Sequence, residues 1–170
     1  MRPLARVAAV VLSVVLCASI VAFVAHRRAE ADEQATVVRV VDGDTIQVSL
    51  PTGLEKIRLI GVDTPESVHP RKPIEYFAKE ATAFTRRMVM GKPVRLAGEA
   101  GQPNRDRYDR LLRYVFLKDG TCLNVEIIRQ GYGHAYVKFP FARLEEFRAY
   151  EREAREAGRG LWGAKPGVPK

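Results

Sequence analysis

Three short β-rich segments separated by tight turn signals occupy residues 35–62, and they limit the chain to a fold that begins as a strand meander. Residues 35–41 read ATVVRVV, residues 45–50 alternate apolar and polar side chains, and residues 54–62 read LEKIRLIGV. An Asp-Gly pair and a Pro-Thr-Gly triplet separate them. An Asp-Gly pair between two such segments is a strong hairpin signal. The pattern therefore predicts three consecutive strands.

The rest of the domain mixes helical and strand patterns. Three segments have the apolar period or charge pattern of a helix and are followed by glycine: residues 74–90, 123–130 and 144–157. Two further strand patterns, residues 94–96 and 111–117, flank a polar loop at residues 98–109. Five strands and interspersed helices in a chain of this size predict an α+β fold with a small barrel.

The amino-terminal segment predicts export. Residues 7–25 are nineteen consecutive residues without charge, which suits a membrane span of about 17–25 residues better than a signal-peptide core of about 7–15 residues. Ala29-Glu30-Ala31 also has the form of a cleavage site. We favour an uncleaved anchor through residues 7–25 over a cleaved signal, and both remain open. Residues 1–31 are thus a signal or anchor, residues 35–163 the folded domain and residues 164–170 a loose tail.

Composition limits the partners and the chemistry. The 170 residues suit one domain. The net charge is +8, and it is still +5 without residues 1–31, which favours an anionic partner. Three histidines and two cysteines are scattered along the chain, so no zinc-site spacing is present. We expect a monomer in an extracytoplasmic space, either periplasmic or secreted.

Three carboxylates are candidates for chemistry. Asp44 follows the Asp-Gly turn, at the start of the next strand. Asp63 and Glu66 straddle Pro65, a pattern equally typical of a turn or of a helix start capped by Thr64. Carboxylates without histidine or cysteine select a hard cation such as Ca²⁺ or Mg²⁺.

Two arginines are candidates for binding an oxyanion. Strand alternation puts Arg58 and Asp63 on opposite faces, so they converge only if the chain turns after Val62 or bulges at Gly61, and we predict one of these. Arg110 ends a charged run that is either a solvated surface or a phosphate site, since a guanidinium binds phosphate as a bidentate fork. A hard cation, a spare carboxylate and two arginines together suit the attack of water on a phosphodiester.

Seven motifs in order resemble the staphylococcal (micrococcal) nuclease, or thermonuclease, family. The resemblance runs from about residue 37 to 162 and is carried by VVDGDT (40–45), RLIGVDTPES (58–67), HPRK (69–72), EATAFTRRMV (80–89), DRYDR (106–110), NVEIIRQG (124–131) and AYV (135–137). It implies a five-stranded OB-type β-barrel with about three helices. It also implies calcium-dependent hydrolysis of DNA and RNA by an endonuclease that leaves 3′-phosphate ends.

The resemblance also implies a role for each candidate residue. Asp44 and Asp63 would hold Ca²⁺ with their carboxylates, and Thr64 with its backbone carbonyl. Glu66 would be the general base, while Arg58 and Arg110 would bind the phosphate. Contacts to the substrate are implied or expected for Lys72, Arg107, Tyr108 and Tyr136.

One departure and one alternative stand beside the family pattern. Asp109 occupies a position where the family usually has glycine; if a positive φ is required there, aspartate tolerates it better than most residues. The alternative function is a catalytically silent OB-type module that binds nucleic acid or protein. Such modules have usually lost the acids or the arginines, and this chain has all five.

Overall fold

A computed structural model describes residues 32–68 and 73–163 of the chain. The predicted signal or anchor, the predicted tail and Lys72 lie outside these residues. Residues 34–163 carry the architecture below, except for the first two residues of β1. Within the described ranges, no helix has the length and apolar character needed to cross a bilayer.

A closed barrel forms the centre of the domain. Its strands are β1 (Asp32–Asp42), β2 (Thr45–Leu50), β3 (Gly53–Leu59), β5 (Pro93–Ala97) and β6 (Leu111–Phe116). They are hydrogen-bonded in the order β1-β2-β3-β6-β5. Neighbours are antiparallel except β3 and β6, which run parallel with Arg58 opposite Leu112. This parallel pair brings the end of β3 and the residues just before β6 to the same region of the barrel.

Helices and a small second sheet complete the described part of the domain. The helices are α1 (Ala78–Val89), α2 (Leu123–Arg129) and α3 (Leu144–Glu156), followed by a 3₁₀ turn at Gly160–Trp162. Strands β4 (Val62–Asp63) and β7 (His134–Ala135) form the second sheet. The predicted five-stranded barrel with three helices is therefore confirmed for these residues.

Alternating apolar residues fill the barrel, and one buried amide attaches α2 to it. Ile46 and Val48 of β2 are fully buried, as the alternation predicts. Burying each such side chain contributes about 1.5–3 kcal/mol. The buried Asn124 accepts a hydrogen bond from the Val115 N–H (2.9 Å) and donates to the Ile60 carbonyl (2.9 Å). This side chain thereby pairs backbone groups of the barrel that would otherwise be costly to bury.

Three predicted boundaries are wrong by three residues or more. The first strand begins at Asp32 rather than at residue 35. The third strand ends at Leu59 rather than at residue 62, because the chain turns at residues 60–61, with Gly61 at φ +71°. The first helix begins at Ala78 rather than at residue 74. The residue before it, Phe77, has φ +70°, and its half-buried side chain stacks on Tyr132 without a helical backbone. The helix start proposed at Thr64 is also absent from the described residues.

Gly61 is required for both its backbone conformation and its lack of a side chain. A Cβ at this position would lie 2.6 Å from the Phe141 ring and 2.9 Å from the Phe147 ring. Gly61→Ala is therefore expected to destabilise the fold by about 2–4 kcal/mol, from left-handed strain and overpacking combined. Chemical denaturation measures the change in free energy of unfolding.

Gly98→Ala is the matched control for Gly61→Ala. Its Cβ would meet only the Arg113 guanidinium, at an ordinary contact distance of 3.8 Å. This variant is expected to stay within about 0.5 kcal/mol of the wild type. Equal losses in the two variants would contradict the packing argument at Gly61.

Candidate active site

The turn between β1 and β2 delivers Asp44 to the residues that follow β3. Asp44 is buried, with 7% of its surface exposed. Its Oδ1 accepts a hydrogen bond from the Thr45 hydroxyl (2.9 Å). Its Oδ2 accepts from the Thr64 N–H (3.1 Å) and hydroxyl (3.2 Å). The carboxylate thus connects two segments that are twenty residues apart in sequence.

Arg58 lies between the two candidate metal-binding carboxylates. Its Nη2 is 3.3 Å from Asp44 Oδ2 and 3.3 Å from Asp63 Oδ1. Its Nη1 donates to the carbonyls of Leu59 (3.0 Å) and Val62 (2.6 Å). These carbonyls flank the turn that ends β3. The turn is thus the break in the strand that the convergence of Arg58 and Asp63 requires.

Burial and a neighbouring acid both act on the Asp63 carboxyl. Burial raises the pKa of the Asp63 carboxyl above its ordinary value, the Arg58 guanidinium lowers it, and the negative charge of Asp44 raises it again. The net shift of this pKa is upward even though Arg58 is in contact with both acids. Burial and the Asp44 charge together therefore outweigh the attraction of Arg58 at Asp63.

Glu66 lies on an ordered loop beside these groups. Its Oε1 accepts a hydrogen bond from the Val68 N–H (3.0 Å). Its own N–H donates to Glu75 Oε2 (3.0 Å), and its carbonyl accepts from the Glu75 N–H (3.1 Å). Both the backbone and the carboxylate of Glu66 are therefore held by neighbouring groups.

Asp42 is a site residue that the sequence reasoning missed, because it was interpreted only as part of the turn. The buried carboxylate accepts hydrogen bonds from the hydroxyls of Ser67 (2.6 Å) and Thr82 (3.1 Å). Burial raises its pKa, the bond from Ser67 lowers it, and the nearby Glu66 carboxyl raises it. Asp42 thus fixes the Glu66 loop against α1. A signal for it existed, since Thr82 and Thr85 interrupt the apolar face of that helix.

Arg110 reaches the same cluster from the turn before β6. Its Nε and Nη2 contact Asp106 Oδ2 (2.7 and 2.6 Å), and its Nη1 donates to the Thr45 hydroxyl (3.3 Å). Burial would raise the pKa of Asp106, but hydrogen bonds from Arg110 and from backbone amides lower it overall. Because Thr45 also binds Asp44, a continuous chain of hydrogen bonds joins Arg110 to the acids.

Aromatic rings stand beside both arginines. The Tyr108 ring, in a residue that is 63% exposed, lies 4.8 Å from the Arg107 guanidinium carbon and 5.2 Å from that of Arg110. The Tyr136 ring is 6.0 Å from the Arg58 guanidinium carbon. Such rings are suited to stacking on bases next to a bound phosphate.

A single open cavity of about 1170 Å³ collects these groups. It is lined by every candidate that the structure describes: Asp44, Arg58, Asp63, Thr64, Glu66, Arg107, Tyr108, Arg110 and Tyr136. Only Lys72 of the expected set lies outside the described residues.

The donor set fits a hard cation that keeps much of its water. Among the described residues, no group of three or more His, Cys, Asp or Glu side chains is arranged as a ready cage. However, the carboxylates of Asp44 and Asp63 approach the same Arg58 nitrogen, and Thr64 is hydrogen-bonded to Asp44. Calcium accepts few protein oxygens when waters complete its shell. The oxygen donors present therefore fit a hydrated hard cation such as Ca²⁺ or Mg²⁺.

Comparison with known proteins places the fold and the cavity in one family. The family model for staphylococcal nuclease homologues matches residues 56–164. This range includes all of the cavity-lining residues that follow β2, whereas the lining residues at positions 41–45 precede it. The chain belongs to the staphylococcal nuclease family.

Three relatives named as nucleases are similar to this chain over more than half of its length. The thermonuclease of Staphylococcus hyicus is 36% identical over 134 residues, which are 78% of this chain and 78% of that protein. The thermonuclease of Staphylococcus intermedius is 41% identical over 103 residues, or 61% and 60%. The endonuclease YhcR of Bacillus subtilis (strain 168) is 31% identical over 143 residues, or 79% of this chain and 12% of that protein.

Proposed function

We propose that this protein is a calcium-dependent nuclease that hydrolyses phosphodiester bonds in DNA and RNA and leaves 3′-phosphate ends. One observation carries the proposal: Arg58 contacts both Asp44 and Asp63, and Thr45 extends that contact to Arg110. Glu66 lines the same cavity. The similarity to two thermonucleases and an endonuclease supports the same class of reaction.

The proposed metal ligands are the carboxylates of Asp44 and Asp63 and the backbone carbonyl of Thr64. A bound Ca²⁺ would supply positive charge to the phosphate oxygens and to the attacking water. These acids of the cavity then have two functions, because Asp44 and Asp63 would hold the metal and Glu66 is left to act on a proton. The convergence of acids and arginines supports an enzyme over a catalytically silent module of the same fold.

The chain's own residues account for the proton transfer and for the phosphate charge. Glu66 takes a proton from water as the water oxygen bonds to phosphorus. Arg58 and Arg110 donate hydrogen bonds to the phosphate oxygens, whose negative charge is best matched in the five-coordinate transition state. The bond from phosphorus to the 5′ oxygen breaks, and that oxygen takes up a proton. The phosphate stays on the 3′ side, and the other product has a 5′-hydroxyl.

We also propose which residues contact the nucleic acid and in which compartment the protein acts. Arg107, Tyr108 and Tyr136 would contact the chain next to the scissile phosphate, and Lys72 would add a contact from outside the described residues. Backbone charge and base stacking provide little sequence preference. A weakly held calcium ion suits an extracytoplasmic space, which agrees with the prediction of an exported protein that has a signal or anchor at residues 1–31.

End-group analysis tests the proposed reaction. The purified full chain is incubated in calcium with a DNA and an RNA oligonucleotide, beside an identical preparation of Glu66→Gln. We expect the wild type to produce fragments with a 5′-hydroxyl, which polynucleotide kinase labels directly. Each fragment should also have a 3′-phosphate, which a phosphatase removes. Fragments with 3′-hydroxyl ends, or equal cleavage by both preparations, would contradict the proposal.

A further inference from the structure

The turn that carries Arg110 contains a strained residue. Asp109 has φ +62°, in the left-handed region that residues other than glycine rarely adopt. Aspartate and asparagine are found there more often than other L-residues, at some cost in strain. The side chain of Asp109 is 87% exposed, so burial does not hold this conformation in place. Something else must stabilise the backbone immediately before Arg110.

Both polar ends of the peptide group between Asp109 and Arg110 are held by side chains. The Asp109 carbonyl accepts a hydrogen bond from Arg105 Nη1 (2.8 Å). The Arg110 N–H donates to Asp106 Oδ1 (3.0 Å). Two bonds at opposite edges of one peptide group fix its orientation, and that orientation sets the direction in which the Arg110 side chain leaves the backbone.

Arg105 is itself anchored to the barrel. Its Nη1 and Nη2 donate to Glu55 Oε2 (3.0 Å) and Oε1 (2.8 Å), a paired arrangement of two parallel bonds. Glu55 lies on β3, three residues before Arg58. The hydrogen bonds from Arg105, opposed by partial burial, hold the pKa of Glu55 below its usual range. The strand that positions Arg58 therefore also sets the place of the turn that positions Arg110.

We propose that Arg105 is a positioning residue that holds the Asp109–Arg110 peptide against Glu55 and so aims the Arg110 guanidinium into the cavity. We call Glu55, Arg105 and the Asp109 carbonyl the Arg105 clamp. The inference rests on the proposed function for its effect on catalysis, while the clamp itself is a property of the fold. It also explains how aspartate occupies a position where glycine would be free of strain.

A double-mutant cycle tests whether Arg105 acts through Arg110. Arg105→Ala is expected to lower kcat about 10–100-fold, because a displacement of about 1 Å of a catalytic group can cost up to that much. KM should change much less than kcat. In an Arg110→Ala background the same substitution should have no further effect on kcat. Arg105→Lys should recover part of the rate, because one donor to the Asp109 carbonyl can be retained.

Arg148→Ala is the matched control for loss of an arginine–glutamate pair. Arg148 contacts Glu145 at 2.8 Å on α3, away from the cavity-lining residues. Its rate should equal that of the wild type. If the double variant lost kcat by the product of the two single losses, Arg105 would contribute independently of Arg110. That result would overturn the proposal.

Amide hydrogen exchange separates failure of the clamp from failure of the proposed function. Arg105→Ala should raise exchange at the Tyr108 and Arg110 amides, both of which donate to Asp106, while the amides of β2 and β3 stay protected. Unchanged exchange at these two amides would overturn the clamp even in an active enzyme. A wild type that cleaves no nucleic acid would contradict the proposed function, and the clamp would then stand or fall on the exchange result.

Discussion

Glu66→Gln is expected to lower kcat for DNA cleavage by about 10²–10⁴-fold, the usual contribution of a general base. Glutamine has nearly the same shape, and its side-chain oxygen can still accept the hydrogen bond from the Val68 N–H. It cannot take up a proton from water. The substitution therefore removes the proposed chemistry while leaving the loop in place. Single-turnover rates at saturating calcium and DNA measure the effect.

Glu75→Gln is the control, because Glu75 lies on the same segment and binds the Glu66 N–H without lining the cavity. Its amide oxygen can still accept that bond, so its rate should stay close to that of the wild type. Equal rates for Glu66→Gln and the wild type would show that Glu66 is not the base. A comparable loss in Glu75→Gln would show that the loop, rather than the Glu66 carboxylate, is what the chemistry needs.

The convergence of Arg58 and Asp63 could be predicted from the sequence because strand geometry is regular. Alternation places the two side chains on opposite faces, so the sequence predicts either a turn after Val62 or a bulge at Gly61. The structure has a turn at residues 60–61, before Val62, with Gly61 at positive φ and packed against Phe141 and Phe147. Turn signals and the alternation of side chains along a strand are local, so they can be recognised in the sequence before any tertiary contact is known.

The contacts that hold the site together could not be predicted in this way. Arg105 and Glu55 are fifty residues apart, and neither differs locally from a solvated surface charge. Asp42 looks like an ordinary turn residue until Ser67 and Thr82 are brought beside it by the fold. The start of α1 was misplaced because the apolar period continues through residues whose backbone is held outside the helix by packing of Phe77 on Tyr132.

Asp63→Asn is expected to lower the cleavage rate at a fixed, low calcium concentration by about 10–100-fold or more, since losing even an outer partner of a metal ligand costs that much affinity or activity. The carboxylate is half-exposed, so the substitution removes charge with little effect on packing. Raising the calcium concentration should restore part of the rate, because the loss is in affinity for a hard cation. The calcium dependence of the initial rate measures both effects.

Asp119→Asn provides the matched control for the loss of one carboxylate. Asp119 is exposed on a turn, where it accepts a hydrogen bond from the Thr121 N–H (2.9 Å), and it does not line the cavity. Its calcium dependence should match that of the wild type. A shift of the same size in both variants would mean that overall charge, and not the carboxylate at Asp63, governs the response to calcium.

The dependence of the cleavage rate on calcium is the most direct test of an active site built from acids and arginines around one hydrated cation. The purified full chain is assayed on DNA with calcium, after addition of a chelator, and after readdition of excess calcium or magnesium. We predict that the chelator stops cleavage and that calcium restores it better than magnesium does. Undiminished cleavage in the chelator, or recovery with zinc alone, would contradict it.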